Sequence, residues 1–198
     1  MDVPADLKLP ATAHVVLGLV SICPGGGHEL ALFSEQSIGN FFPIARSQVY
    51  SELERLSGLG LLTATEVRQQ RWPTKRVYAV TAAGEAELRR WLQDDPVAPV
   101  RNRNLFLVRV FFGDRVSPDR LDALLDEYER DARARRDTFA AIVDRLADRP
   151  QAAFPRATAL YGLRHTDATL AWVGDVRSMV REARAAESEP GRVPARGR

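Results

Sequence analysis

The sequence is short of several residue types, and each shortage excludes a class of protein. One cysteine, Cys23, allows neither an intramolecular disulfide nor a zinc site built from cysteines, which fits a reducing compartment. We expect its thiol to be a small buried apolar group. Lysine is also scarce: Lys8 and Lys75 stand among many arginines, a bias that favours paired contacts to carboxylate or phosphate groups.

Apolar runs long enough to cross a bilayer are missing as well. The most apolar run covers residues 13–23, and no basic and apolar leader with a small-residue cleavage site opens the chain. We therefore expect a cytoplasmic protein that does not enter a membrane. With 198 residues and 45% hydrophobic side chains, the chain can bury a core without disulfides or a metal.

Motifs for catalysis are absent too. The glycines before His28 lack the Gly-Lys-Ser/Thr ending of a phosphate-binding loop, and the pair His28 and Glu29 lacks a second histidine four residues later. The other histidines, His14 and His165, are far away in the chain, and no Gly-x-Ser-x-Gly elbow occurs. We expect no enzyme, no cofactor and no metal site.

What is present is an amphipathic helix, predicted from about residue 46 to the glycines Gly58 and Gly60. Val49, Leu53 and Leu56 recur at helical spacing and predict its buried side. The polar residues of the opposite side are Ser47, Ser51 and Glu54. Two helices precede it, predicted at residues 11–23 and 27–39, and three helices in this order are typical of a helix-turn-helix.

The first turn of this helix carries the candidates for DNA recognition. Its backbone N–H groups are unpaired and the helix dipole is positive there, which suits a phosphate or a base edge. Arginine and glutamine can make paired hydrogen bonds to guanine and adenine. The predicted base-reading and groove-facing residues are Arg46, Ser47, Gln48 and Ser51. Tyr50 either packs in the core or extends its hydroxyl to a phosphate; the alternative for the whole set is a solvated helix face.

A basic hairpin is predicted next, from residues 61–67 and 76–81, which are rich in β-branched and aromatic residues. Only Glu66 opposes its four basic side chains, which are Arg68, Arg71, Lys75 and Arg76. Because like charges repel within one hairpin, we expect them to contact the DNA backbone or minor groove in a salt-dependent way. The alternative is a solvated loop. The net charge of +2 decides nothing by itself.

The second half of the chain is predicted to be helical. A helix capped by Thr81 reaches Gln93 with Leu88, Trp91 and Leu92 on one side, and Pro96 and Pro99 then mark a linker at 94–102. Residues 104–112 predict an almost wholly apolar helix buried on most sides. Two long helices are predicted from about 118 to 149 and from about 157 to 186.

These long helices carry the candidates for dimerisation. The spacing of three and four residues in the first one is typical of a coiled-coil seam or of one face of a helical hairpin. The predicted dimerisation residues are Leu121, Leu124, Tyr128, Phe139, Ile142, Leu146, Leu160 and Met179. An effector pocket between the halves of the chain could be lined by Phe106, Val110, Tyr161, His165 and Trp172. The alternative for the aromatic residues is core packing, and for His165 a half-buried hydrogen bond.

The order of elements and several motifs resemble the PadR-like family of winged-helix transcriptional regulators. The similarity lies in VLGLV near Leu17, GHEL at residues 27–30, RSQVYSELERLSGLGLL at 46–62, KRVYAVTAAG at 75–84 and LRRWL at 88–92. LFLVRVFF and YGLRHTDATLAWV, at 161–173, resemble the subgroup with a longer C-terminal domain.

The resemblance implies a homodimer whose C-terminal helices cross, and recognition helices in successive major grooves of an inverted-repeat operator. It also implies repression and, in many members, release of double-stranded DNA by a small aromatic or hydrophobic effector. The alternative function is a winged-helix module that binds another protein and has little specific affinity for DNA.

We thus expect a mainly α protein with a small β-hairpin wing, organised as an N-terminal winged helix-turn-helix and a C-terminal α-helical dimerisation domain. The predicted parts are an arm at 1–10, a DNA-binding domain at 11–93, a linker at 94–102, a dimerisation and effector domain at 103–186 and a disordered tail at 187–198.

Overall fold

The computed structural model describes residues 8–68, 74–96 and 103–188. The chain divides into two compact units, residues 1–100 and 101–198. Most of the predicted arm, linker and tail lies outside the described residues.

The N-terminal unit is built from four helices and a small antiparallel sheet within its described residues. Its elements are α1 (Ala11–Ile22), β1 (Gly25–Gly26), α2 (Gly27–Ser37), α3 (Arg46–Gly58), β2 (Leu62–Val67), β3 (Lys75–Val80) and α4 (Ala82–Asp94). The strand order is β1-β3-β2, with Gly25 opposite Tyr78 and Leu62 opposite Val80. The predicted hairpin is therefore present, and Gly25 and Gly26, which lie between the first two helices, add a third, short strand.

The core of this unit lies between α1, α3 and the sheet. Val49, Leu53 and Leu56 of α3 are buried, as the helical spacing predicted, and they join Leu17 of α1 and Leu61 before β2 in one apolar cluster. The buried stripe fixes which side of α3 faces outward. Ser47 and Ser51 lie on that outward side and are exposed.

The junction between the hairpin and α4 is closely packed. The Thr81 hydroxyl accepts a hydrogen bond from the Gly84 N–H at 3.0 Å, which caps α4, and it lies 2.8 Å from the Gly60 carbonyl oxygen. Gly60 has a φ of +73°, a conformation that glycine adopts without strain. A Cβ at Gly84 would lie 2.2 Å from the Leu61 carbonyl oxygen, so only glycine fits there without a backbone shift.

A buried histidine joins α1 to α4. The His14 ring stacks on Trp91 with ring centroids 4.8 Å apart, and its Nε2 lies 2.9 Å from Glu87 Oε1. Arg90 donates two hydrogen bonds to the same carboxylate, which lowers the pKa of Glu87 to about 2, with His14 as a smaller cause. Trp91 packs against the core as predicted, but Leu92 is exposed, because the side of α4 that faces α1 is occupied by Leu88 and Trp91.

Cys23 is exposed, so its prediction as a buried apolar group is wrong. It follows the last residue of α1, where its N–H bonds to the Leu19 carbonyl and the chain leaves the core side of the helix.

The C-terminal unit is a helical hairpin with a short leading helix. It contains α5 (Leu105–Phe111), α6 (Pro118–Arg145) and α7 (Ala153–Ser188), with short 3₁₀ turns at Gly113–Arg115 and Pro150–Ala152. Helix α6 ends earlier and α7 begins earlier than predicted. The ion pair of Arg177 with Asp126 and that of Arg136 with Asp167 show that α6 and α7 run antiparallel.

The core of this unit is small, and α5 contributes little to it. Leu121, Leu125, Val173 and Val176 are buried, with partly buried aromatic residues around them. We expected α5 to be buried on most sides, but Leu105 is 75% and Phe111 is 81% exposed. A seven-residue helix with apolar side chains all round can turn only one side toward α6 and α7, so the expectation is wrong for the single chain.

Among the described residues, no helix combines the length and apolar character that crossing a bilayer requires. Nor does any group of three or more histidine, cysteine, aspartate or glutamate residues within them have the geometry of a metal site.

Candidate nucleic-acid interface

The first turn of α3 is exposed and lacks a side-chain cap. Ala45 precedes the helix in an extended conformation, and its carbonyl accepts hydrogen bonds from Gln48 and Val49. Arg46, Ser47 and Gln48 are exposed at the surface. The unpaired N–H groups of a helix start point away from the helix, so this turn offers backbone and side-chain donors together.

Tyr50 lies beside this turn and reaches back to the start of α2. Its ring packs on the backbone of Gly27, where a Cβ would come within 2.4 Å of Tyr50 Cε1. The side chain is nevertheless 44% exposed. The ring is therefore packed on one side and open to solvent on the other, and contact of the hydroxyl with a phosphate stays a prediction.

An ion pair holds the first predicted base-reading residue. Arg46 donates from Nε to Glu35 Oε1 at 2.6 Å and from Nη2 to Glu35 Oε2 at 2.9 Å. These hydrogen bonds lower the pKa of Glu35 and raise the pKa of Arg46. Glu35 belongs to α2, so the contact ties the two helices at the exposed surface.

A second carboxylate of α2 reaches the wing, the hairpin formed by β2 and β3. Lys75 Nζ donates to Glu29 Oε1 at 2.8 Å, and Glu29 Oε2 accepts from the Gly26 N–H at 2.9 Å. The hydrogen bond from Lys75 is the main reason why the pKa of Glu29 is lowered. The charge of Lys75 is thus paired with a carboxylate of α2.

The other basic wing residues differ in environment. Arg68 and Arg76 are exposed and make no ion pair with any residue that the structure describes. Arg71 lies outside the described residues. The described part of the wing therefore presents two arginines whose charges are free to attract an anion.

The structure separates the residues predicted for an effector pocket. Phe106 stacks on Tyr128 with ring centroids 3.9 Å apart, and Trp172 meets both rings edge-on. Val110 packs beside them. Tyr161 and His165 stack on each other at the exposed surface of α7. Tyr161 precedes Trp172 by three helical turns, about 16 Å, so this pair does not join the aromatic cluster of Phe106, Tyr128 and Trp172.

Most of the predicted dimerisation residues pack within the hairpin of their own chain. Leu121 and Leu124 are buried, and the Phe139 ring lies against Gly162 of α7. Tyr128 belongs to the aromatic cluster, and Ile142 and Leu146 are half-buried. The spacing in α6 thus marks the face of a helical hairpin, one of its two predicted meanings, and Leu160 and Met179 are the exposed members of the set.

The contacts of Glu29 and Glu35 with basic residues of the candidate interface were missed from the sequence. The two glutamates lie 46 and 11 residues from their basic partners, and no local pattern relates residues at such separations. The short strand β1 was missed for the same reason, since it pairs with residues far along the chain.

Two family models match the chain, one in each unit. Residues 16–90 match the transcriptional regulator PadR-like family, and residues 102–181 match a domain described as virulence activator alpha C-term. These matches agree with the resemblance drawn from the sequence motifs.

Individual relatives point the same way. The chain is 38% identical over 93 residues to the probable transcriptional regulator Rv1176c of Mycobacterium tuberculosis, covering 46% of this chain and 48% of that protein. It is 26% identical over 99 residues to the negative transcriptional regulator PadR of Bacillus subtilis, covering 50% and 54%. The chain thus spans about half the length of the curated relatives it matches. These relatives are regulators, which confirms the expectation that the chain is not an enzyme.

Solved structures share the fold over most of the chain. Bacillus subtilis PadR in complex with operator DNA has a TM-score of 0.79 at 18% identity and covers 87% of this chain and 99% of that one. The same protein with p-coumaric acid has a TM-score of 0.72 at 17% identity, covering 88% and 99%. The Vibrio cholerae virulence activator AphA has a TM-score of 0.69 at 23% identity, covering 87% and 99%. The predicted fold class is confirmed.

Proposed function

Because the chain belongs to the PadR-like family of transcriptional regulators, we propose that it is a cytoplasmic, sequence-specific DNA-binding repressor. In this proposal it acts as a homodimer on an inverted-repeat operator, and a small aromatic or hydrophobic effector releases it. The observation that carries the proposal is the exposed, uncapped first turn of α3 with Arg46, Ser47 and Gln48. This turn can donate hydrogen bonds to base edges in the major groove.

The wing supplies affinity rather than sequence preference. Arg68 and Arg76 are exposed without an ion pair among the described residues, so each can contact a phosphate and release counterions. We propose the same role for Arg71 and a smaller one for Lys75, which Glu29 already neutralises. Ser51 and the exposed part of Tyr50 face the groove or the adjacent backbone.

Dimerisation is supported by apolar surface that the C-terminal unit leaves uncovered. Leu105 and Phe111 of α5 and Leu160 and Met179 of α7 are exposed. A soluble chain rarely leaves so many large apolar side chains open, and a second copy would cover them. Two copies would place two α3 helices on successive major grooves, about 34 Å apart.

Effector binding is proposed at the aromatic cluster of the C-terminal unit. Phe106, Tyr128 and Trp172 form flat and edge-on surfaces that suit an aromatic ring, and Val110 adds apolar contact. The complex of Bacillus subtilis PadR with p-coumaric acid supports an aromatic carboxylic acid as the first ligand class to test. A change of Trp172 fluorescence together with loss of DNA binding would report on this step.

The test of the proposed function is a binding titration with double-stranded DNA from the region upstream of its own gene. Saturable binding that resists competitor DNA and weakens steeply with salt is expected. The double variant Arg46→Ala with Gln48→Ala should lose sequence preference but keep weak binding. Binding that is weak and indifferent to sequence in the unaltered chain would contradict the proposal and favour the protein-interaction module.

A further inference from the structure

The ion pair between Glu35 and Arg46 places a carboxylate directly beside the proposed DNA-reading turn. Both side chains are about half exposed, Arg46 at 52% and Glu35 at 43%. An exposed pair of this kind adds little to stability because solvent screens it. Its main effect is therefore geometric: two hydrogen bonds fix the plane of the guanidinium.

The way the pair is made leaves a defined part of the guanidinium free. Arginine carries five N–H donors in a rigid fork. Glu35 engages the Nε–H and one N–H of Nη2, so three donors remain on Nη1 and Nη2 at the far end of the fork. Two nitrogens side by side are the arrangement that pairs with O6 and N7 of guanine in the major groove.

The charge of Glu35 disfavours the competing contact. An arginine without a partner is attracted to phosphate, whereas Arg46 carries a carboxylate at its side that would come close to any phosphate bound there. A guanine edge presents neutral acceptors and does not incur this repulsion. The pKa of Glu35 is lowered by the hydrogen bond from Arg46, so the carboxylate stays charged at neutral pH.

We propose that Glu35 is a specificity-determining residue that positions Arg46 to read a guanine and keeps it off the phosphate backbone. This inference rests on the proposed function, because it requires that α3 enters the major groove. The pair of Glu29 with Lys75 cannot act in the same way, since an ammonium group is a point charge without a fixed fork.

Parallel selections from a random pool of double-stranded DNA test the inference with the full chain. The unaltered chain should enrich a guanine at one position of each half-site. Glu35→Gln and Arg46→Lys should both lose at least about fivefold preference at that position, while the preference at other positions remains. The matched control is Glu85→Gln, which removes one exposed carboxylate from α4 without touching α3. It should retain the guanine.

Salt dependence gives a second measurement that a merely structural role would not change. When Glu35→Gln frees Arg46 for a phosphate, the slope of log affinity against log salt should steepen by about one. Thermal unfolding of each variant verifies that the fold is kept. If Glu35→Gln keeps the guanine preference and the salt slope while the unaltered chain enriches a sequence, the proposed role of Glu35 is overturned. The proposed function would still stand. An unaltered chain that enriches no sequence would overturn the proposed function and this role together.

Discussion

The two units of the chain bury their apolar side chains to very different extents. Among the residues that the structure describes, fourteen buried hydrophobic residues of the N-terminal unit form one cluster, whereas the corresponding cluster of the C-terminal hairpin has four. The large apolar side chains of α5, such as Leu105 and Phe111, stay exposed. The N-terminal unit thus has the larger apolar core, and the C-terminal unit leaves large apolar side chains of α5 uncovered within one chain.

Under the proposed function, this difference separates two tasks within one chain. A DNA-reading turn must be held still, and the buried stripe of α3 provides a rigid support for Arg46. A dimerisation surface must remain open until a second copy arrives, so its apolar residues cannot be used within the chain. Substitutions that are matched between the two units test this difference in burial.

The largest expected difference concerns leucine-to-alanine substitutions. Leu53→Ala removes a fully buried side chain from the N-terminal core and should lower the free energy of unfolding by about 2 to 5 kcal/mol. Leu105→Ala changes an exposed residue and should alter monomer stability by less than about 0.5 kcal/mol. Urea unfolding at low protein concentration, followed by circular dichroism, measures both. Equal losses would contradict the comparison.

The second difference concerns two glycines that touch a neighbour closely. Gly84→Ala places a Cβ 2.2 Å from the Leu61 carbonyl, a backbone atom of a buried residue that cannot move away. We expect a loss of about 2 to 3 kcal/mol. For Gly162→Ala the nearest atoms to the added Cβ belong to the Phe139 ring, at 2.4 Å, and that half-buried side chain can swing aside.

The expected loss for Gly162→Ala is therefore about 1 kcal/mol or less, because alanine also favours the helix. Thermal unfolding of both variants tests this order. Gly58→Ala, with nothing within 4 Å of the added carbon, is the control and should not destabilise α3. A larger loss for Gly162→Ala than for Gly84→Ala would show that the hairpin is the more rigid unit.

The same contrast explains what the sequence could reveal. The stripe of Val49, Leu53 and Leu56 was predictable because helical periodicity is a local pattern and each of these residues is buried by its own chain. In α6 the same kind of pattern has two meanings, since a hairpin face and a dimer seam use one spacing. Periodicity alone could not show that Leu121 packs on α7.

Only the basic residues of the candidate site were predictable from the sequence. Arg46 and the wing arginines stand out by residue type and position, whereas Glu29 and Glu35 look like ordinary polar residues of α2. Their partners are found only after the chain has folded. The exposure of Cys23 and of α5 could not be predicted from the sequence either, because it depends on which side of a helix packs against its neighbours.

A third difference lies in how charge contributes to stability. Glu87 is largely buried between Arg90 and His14, and its pKa is lowered from 4.5 to about 2. A lowered pKa gives stability that is present above about pH 4.5 and is lost as the pH falls toward 2. Glu87→Gln should therefore cost about 2 kcal/mol at neutral pH, less than the full pKa shift corresponds to because Arg90 is exposed.

The pH dependence distinguishes this cost from simple loss of packing. Unfolding free energies of the unaltered chain and of Glu87→Gln should converge as the pH is lowered between 4.5 and 2. A difference that stays constant over this range would mean that the carboxylate acts through its shape and not its charge.

The smallest effect is expected for the ion pairs of the hairpin. Arg177 donates to Asp126 at 2.6 Å and to Glu129 at 2.9 Å, but Asp126 is 61% exposed, so solvent screens the attraction. Arg177→Ala should cost less than about 1 kcal/mol, and the cost should shrink further when the salt concentration is raised. Glu87→Gln, measured in the same salt series, should change less, because the Glu87 side chain is only 12% exposed whereas Asp126 is 61% exposed. If Arg177→Ala lowers the free energy of unfolding by more than Glu87→Gln does, charge and not the small apolar core holds the C-terminal hairpin together. The open apolar surface of α5 would then no longer support the proposed dimerisation.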